Sequence, residues 1–361
     1  MEKKDTKIIA FHLPQFHSFP ENDMWWGKGF TEWTNTKKAK KLYSNHNQPR
    51  EPLNDNYYNL LNYNSMKSQM ELAKEYNVYG FCYYHYWFNG KLLMEGPLEK
   101  LLEDNGEKLN YCFCWANEPW TRTWEGKDKE VLMPQVYGGK EDWENHFNYL
   151  LRFFKDTYYI KIDNKPMLVL YRTSSIENCE EMIEYWNKRA KESGFKGIYI
   201  VEEKNCFQDK AICKNSDAVI EFEPLYTMTY KLSSLEKTID KLESIIFNIS
   251  HSSRNMIYNY DRLWKNITKR KRVNESKKNF LGAFVDWDNT ARKGKKGRIV
   301  KGASPEKFKH YFNEQIEIAI KENSEFVFIN AWNEWGEGTY LEPDKVNGLE
   351  YLKSIRDTLM K

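Results

Sequence analysis

The sequence predicts the α/β class and, within it, a closed (β/α)8 TIM barrel with long loops after strands 1 and 6. Three observations carry this. Eight apolar runs of strand length recur along the 361 residues. Amphipathic helical stripes lie between them. Polar and aromatic residues crowd the C-terminal end of every run, where a parallel barrel gathers its reacting groups.

The runs are residues 8–11, 78–84, 111–115, 167–171, 198–201, 218–222, 281–285 and 326–329. They are nearly continuous rather than alternating, as strands covered on both faces must be. The helical stripes follow 3.6-residue spacing. The first is Met66, Met70 and Ala73; the second is Trp143, Phe147, Leu150, Leu151 and Phe154. Met182, Ile183, Trp186 and Ala190 form a third. Phe308, Phe312, Ile316 and Ile320 form a fourth, with Ser304 as cap and Pro305 in the first helical position. Leu349, Leu352, Ile355 and Leu359 make a closing helix.

No Pro-, Ser- or Gly-rich tract divides the chain, so residues 1–361 are expected to form a single catalytic domain with insertions at about 14–60 and 226–279. The first insertion holds Trp25-Trp26-Gly27-Lys28-Gly29-Phe30-Thr31-Glu32-Trp33, too rich in indoles for an idle connector. The second carries the stripe Leu235, Ile239, Leu242 and Ile246, then a basic run from Lys265 to Lys278 that reads as solvated surface.

A net charge of +3 is small beside 55 Lys+Arg and 52 Asp+Glu, so nothing calls for nucleic acid or an anionic membrane. The 13 Trp, 24 Tyr and 20 Phe exceed ordinary usage and suit a surface that stacks on flat, partly polar ligands, although a core would absorb half of them or more. The six cysteines are scattered and are expected as free thiols in a reducing compartment. Cys112 and Cys114 share one strand face without a second Cys/His pair, which favours core packing over a metal. The first residues lack the apolar segment of a signal peptide, and no apolar run is long enough to span a bilayer. The expectation is a soluble, cytoplasmic protein; its oligomeric state is not written in the sequence.

The strand ends supply the candidate site. Strand 1 ends in His12-Leu13-Pro14-Gln15-Phe16-His17, strand 2 in Tyr84-His85-Tyr86-Trp87, and strand 3 in Trp115-Ala116-Asn117-Glu118-Pro119-Trp120. Strands 4 and 5 add Tyr171-Arg172 and Glu202-Glu203; strand 6 ends in Glu221-Phe222-Glu223 and strand 7 in Asp286-Trp287-Asp288. Strand 8 runs into Asn330-Ala331-Trp332-Asn333-Glu334-Trp335-Gly336-Glu337-Gly338-Thr339. Carboxylates three apart among indoles and glycines offer proton transfer, flat faces for sugar rings and tight turns, so Glu334 and Glu337 are the catalytic candidates. His12, Trp26, Glu32, Trp33, Tyr84, His85, Trp87, Trp115, Asn117, Glu118, Trp120, Glu223, Trp287, Asp288, Trp332, Asn333 and Trp335 are the candidate substrate contacts, for an oligosaccharide or polysaccharide. Asp286 and Asp288 form a D-x-D, a pattern that holds a divalent metal in many nucleotide-sugar transferases; Asp288 is read here as a sugar-hydroxyl acceptor. His12, His17 and His85 lack metal-ligand spacing, so neither a metal nor a cofactor is expected.

The stretch from Asn333 to Thr339 resembles the catalytic motif of glycoside hydrolase family 99, endo-acting α-mannosidases on a (β/α)8 barrel. The stretches His12–His17, Trp25–Trp33, Trp115–Glu118 and Trp287-Asp288-Asn289-Thr290-Ala291-Arg292 are similar to WbsX-type proteins of lipopolysaccharide and O-antigen biosynthesis. The family 99 resemblance implies that Glu334 takes the proton of the substrate's 2-hydroxyl, which attacks C1, while Glu337 protonates the leaving oxygen and later activates water, with retention. Three readings follow: a retaining glycosidase or transglycosylase on a surface polysaccharide, a nucleotide-sugar glycosyltransferase, and a glycan-binding pseudoenzyme.

Overall fold

The eight apolar runs become the eight strands of one closed sheet. In the computed structural model, which describes residues 6–122, 127–272 and 277–360, they are β1 (Lys7–His12), β2 (Gly80–Phe88), β3 (Asn110–Trp115), β4 (Lys165–Leu170), β5 (Tyr199–Lys204), β6 (Ala218–Glu221), β7 (Lys278–Phe284) and β8 (Phe326–Asn330). Each pairs in parallel with the next, and β1 closes the ring by pairing Ile9 with Gly80 on one side and with Phe328 on the other. Strand residues are buried on both faces, which is why their sequences do not alternate.

Eight principal helices wrap the ring: α1 (Tyr63–Glu75), α2 (Gly96–Glu103), α3 (Lys140–Phe154), α4 (Cys179–Glu192), α5 (Ser234–His251), α6 (Tyr260–Thr268), α7 (Pro305–Lys321) and α8 (Glu350–Leu359). The stripes of α1, α3, α4, α7 and α8 face the barrel as their spacing predicts, except that Ile320 at the end of α7 turns to solvent, 44% exposed. Ser304 caps α7, its hydroxyl accepting from Lys307 N–H at 3.3 Å, with Pro305 in the first turn.

The insertion after β1 folds into two short helices, Pro20–Trp26 and Glu32–Lys38, that lie over the C-terminal rim. The insertion after β6 is α5, a strand Met256–Asn259 and α6; that strand pairs in parallel with Arg298–Lys301, so the segments flanking β7 are stitched together.

Two expectations are corrected here. Cys179 and Cys213 form a disulfide, Cα to Cα 6.7 Å, because the start of α4 and the segment between β5 and β6 meet on the outside of the barrel; Cys82, Cys112, Cys114 and Cys206 are free. The basic run is not all solvated surface. Arg270 turns inward onto Glu221 at 2.8 Å and Glu223 at 2.9 Å, and Arg272 onto Glu221 at 2.9 Å, which gives these buried carboxylates their counter-charge. Residues 273–276 of that run lie outside the described residues.

Candidate active site

The stretch after β8 is a short hairpin in which Asn333–Glu334 pairs with Thr339–Tyr340, so Glu334 and Glu337 project from one tight loop at the C-terminal mouth of the barrel. Its glycines have physical causes. At Gly336 any side chain would collide with the Glu32 carboxylate, which instead accepts the Gly336 N–H at 2.7 Å. Gly338 has φ of +65° and sits so close to the Asp288 backbone that a Cβ would lie 2.7 Å from its oxygen.

Into this loop reaches Arg292, from the short helix Thr290–Lys293 that follows β7. Its guanidinium lies 2.6 Å from Glu334, 2.7 Å from Glu337 and 2.9 Å from Glu32, so one cation bridges three carboxylates. The planar fork of donors makes this possible; an ammonium has no comparable pair of edges. Burial pushes Glu334 up to about 8; Arg292 opposes the rise, whereas Glu337 and Glu32 add to it. Burial likewise raises Glu32, with Arg292 as the chief opposing influence.

Other groups share the cup. Glu118, after β3, is pushed up to about 7 by burial, offset by Arg172 and reinforced by the charge of Glu337. Tyr86 feels both Glu334 and Glu118, and Tyr171 feels Glu118, Glu203 and Glu337. Glu203, deeper on β5, is pushed to about 8 by burial and accepts from the Cys114 thiol at 3.3 Å. Tyr84, also inward, stacks on Phe11 at 5.7 Å. Half-exposed rings stand at the rim: Trp25 and Trp120, 6.0 Å apart, Tyr86, 5.3 Å from Trp120, and Trp26 beside Phe30.

Strand alternation removes several candidates from the cup, because successive side chains point to opposite faces. On β2, Tyr84 and Tyr86 face in while His85 and Trp87 face the helices: His85 meets His146 of α3 at 2.9 Å, and Trp87 stacks on His146 and donates to Asp142. Burial lowers His85 to about 3, so it is neutral. His12 also faces outward, bonding Gln69 of α1 at 3.1 Å, and burial lowers it to about 3. Trp115 packs among His146, Trp186 and Tyr137. Glu223 is taken by Arg270. These five side chains are engaged outside the cup.

Others prove to be braces of the loops. Asn333 accepts Leu13 N–H at 2.7 Å and donates to Leu13 O, tying the β8 loop to the end of β1. Asn117 clasps the Arg172 backbone, accepting at 2.8 Å and donating at 2.8 Å. Trp33 packs on Phe16 and Trp335, and Trp335 stacks on Tyr340 at 3.8 Å while donating to Glu342. Trp287 and Trp332 are fully buried and offer no face to a ring. Glu32 is wholly buried too, and serves by holding Gly336 and Arg292.

The D-x-D carboxylates are engaged. Asp286 accepts from Arg50 at 2.8 Å; Asp288 accepts from His46 at 2.6 Å and from both the N–H and hydroxyl of Thr290. Asp288 is therefore a turn brace rather than a free sugar acceptor, although both line a polar pocket of about 450 Å³ with Tyr43, His46, Arg50 and Lys301. Among the described residues no group of three or more His, Cys, Asp or Glu side chains is placed to hold a metal ion.

The profile of the family described as "Glycosyltransferase WbsX" matches residues 8–355. The chain belongs to the glycosyltransferase WbsX family. It is 31% identical to the WxcX proteins of two Xanthomonas campestris pv. campestris strains, over the whole of this chain and 50% of each relative, so it spans about half the length of the curated relatives it matches. Among solved structures, the family 99 endo-α-mannosidase of Bacteroides thetaiotaomicron superposes with TM-score 0.55 and 12% identity, covering 98% of this chain and 96% of that one. A glycoside hydrolase-like protein superposes with TM-score 0.60 and 12% identity, covering 99% and 94%. These two likenesses are likenesses of fold, the (β/α)8 barrel.

Arg292 and Tyr86 were absent from the sequence-derived candidates. Arg292 closes the motif that begins at Trp287, and its position after β7 was the available signal; Tyr86 could have been taken from alternation once Tyr84 was placed inward.

Proposed function

We propose that this WbsX-family chain is a carbohydrate-active enzyme that cleaves or transfers a glycosidic bond of a bacterial surface polysaccharide with retention, through the 2-hydroxyl of the sugar. The observation that carries the reading is the bridging of Glu334 and Glu337 by the single guanidinium of Arg292, in a cup rimmed by half-exposed Trp25, Trp26 and Trp120. Two carboxylates held on one guanidinium can share a single proton. Burial favours that proton on Glu334 in the free protein. The chemistry needs it on Glu337, which faces the leaving oxygen, with Glu334 charged to receive the 2-hydroxyl proton. A 2-hydroxyl donating to Glu334 stabilises the charged form there and so moves the proton across the pair. C1 then exchanges its leaving group, which takes the proton of Glu337, for O2; a water or acceptor hydroxyl, deprotonated by Glu337, opens that ring as Glu334 returns its proton to O2, with net retention.

The second reading is a nucleotide-sugar glycosyltransferase, favoured by the family's description. Against it, Arg50 occupies the approach to Asp286, and His46 and Thr290 that to Asp288, so the D-x-D would have to shed its partners to take up a divalent ion.

One experiment separates the readings. The purified protein is incubated with oligosaccharides from bacterial surface polysaccharides, with and without nucleotide sugars and Mn²⁺, beside Glu337→Gln. Product from glycan alone, lost in the variant, supports cleavage or transglycosylation; a strict need for nucleotide sugar replaces it with the transferase; binding without turnover under all conditions leaves a glycan-binding protein.

A further inference from the structure

Helix α5 is turned inside out. Asp240, Ser244 and Phe247 face the body of the protein, whereas Leu235, Leu242, Ile246 and Ile249 face outward with 71, 55, 67 and 78% of their surface exposed, joined by Ile245 at 46%. Their spacing of 7, 4 and 3 residues makes one continuous stripe, the kind a helix ordinarily buries. The underside is held by Phe247, packed with Ile257 and Ile299, and by polar bonds. Arg262 of α6 pairs with Asp240 and Glu243, Asn266 donates to Glu236 at 2.7 Å, and the Ser244 hydroxyl accepts Ile257 N–H at 2.8 Å. An apolar face of this length on an otherwise polar element marks a surface that something covers.

The charge around the stripe says what. The three carboxylates of α5 are all taken up by protein partners: Glu236 by Ser233 and Asn266, Asp240 and Glu243 by Arg262. Lys237 and Lys241 stay exposed on α5, and Lys265, Lys269 and Lys271 are exposed on and just after α6. The charges that α5 leaves without a counter-charge toward solvent are therefore cationic.

We propose that α5 docks this protein on a membrane surface that carries anionic lipid, the stripe entering the acyl boundary and the lysines meeting the headgroup phosphates. A second copy fits less well. An antiparallel isologous pair of α5 helices sets the lysine edge of one against the same edge of the other, like on like, whereas anionic headgroups neutralise it. The stripe would lie along the membrane surface; among the described residues no helix is long and apolar enough to cross a bilayer.

The test is co-sedimentation of the purified chain with phosphatidylcholine vesicles, with and without about one-third phosphatidylglycerol. The chain is expected to sediment with the anionic vesicles and to be released as salt is raised. Lys237→Gln/Lys241→Gln should weaken binding about tenfold. Leu242→Gln/Ile246→Gln/Ile249→Gln should abolish it while leaving the thermal unfolding midpoint unchanged, since these side chains already face water. Failure of the unaltered chain to bind anionic vesicles overturns the proposal, as does binding that the triple variant keeps. A dimer seen by light scattering and lost in the triple variant, without vesicle binding, gives the face to a second copy instead.

Discussion

The guanidinium of Arg292 and the carboxylate of Glu334 lie 2.6 Å apart, with Glu337 on the other edge of the same guanidinium at 2.7 Å. One side chain therefore fixes the spacing of both carboxylates. Arg292→Lys offers a point charge with no second edge, and is expected to lower kcat/KM about a hundredfold while the fold persists. Arg292→Met leaves three carboxylates facing one another and should also lower the thermal unfolding midpoint. Steady-state rates and melting curves on both variants check this; an Arg292→Lys enzyme with full activity would reduce Arg292 to a counter-ion.

The raised position of Glu334, about 8, gives a direction to the pH profile. The working pair carries one proton, which burial places on Glu334 in the free protein, so kcat/KM is expected to fall as pH rises through about 8 and that proton is lost. A rate that rose through the same interval would mean that the working pair carries no proton. The slope of that limb thus shows whether the shared proton is needed.

Trp87, at the end of β2, and Trp120, just after β3, are opposite in consequence. Trp87→Phe loses the bond to Asp142 and should cost about 1 kcal/mol of stability with KM unchanged. Trp120→Ala, at the rim, should raise KM about tenfold with the unfolding midpoint nearly constant. Denaturant titration and substrate-saturation curves distinguish them; a KM effect at Trp87 would put it back among the contacts.

Gly336→Ala forces a methyl group against the Glu32 carboxylate that accepts the Gly336 N–H. Activity should fall at least tenfold, because the hairpin bearing Glu334 and Glu337 must shift, and shifts of an ångström are costly to catalysis. Kinetics of this variant beside Gly139→Ala, where a Cβ meets open space, make the comparison.

Parallel strands buried on both faces write themselves as unbroken apolar runs, so all eight could be read from the sequence, as could the Ser304 cap of α7 and the stripes of most helices. The two glutamates could be read as a pair from their place after the last strand. What could not be read is which residues at a strand end point inward. That depends on a phase of alternation that continuous apolar runs conceal, and it moved His12, His85, Trp87, Trp115 and Glu223 to the helix side. Periodicity located the stripe of α5 but said nothing of which way it faces. The joining of Cys179 to Cys213, and of Arg292 to Glu32, depends on distant segments meeting, which spacing along the chain does not encode.

The closure of β1 onto β8 has a temporal meaning. Glu32 and Arg292 are 260 residues apart, and Glu334 and Glu337 lie beyond the final strand. During synthesis the clamp cannot assemble until the segment after β8 has emerged, and an incomplete ring does not hold Glu334 and Glu337 against Arg292. Activity that depends on the clamp then reports the closing of the ring, silent in every intermediate that has collapsed and formed helices but has not yet joined β1 to β8.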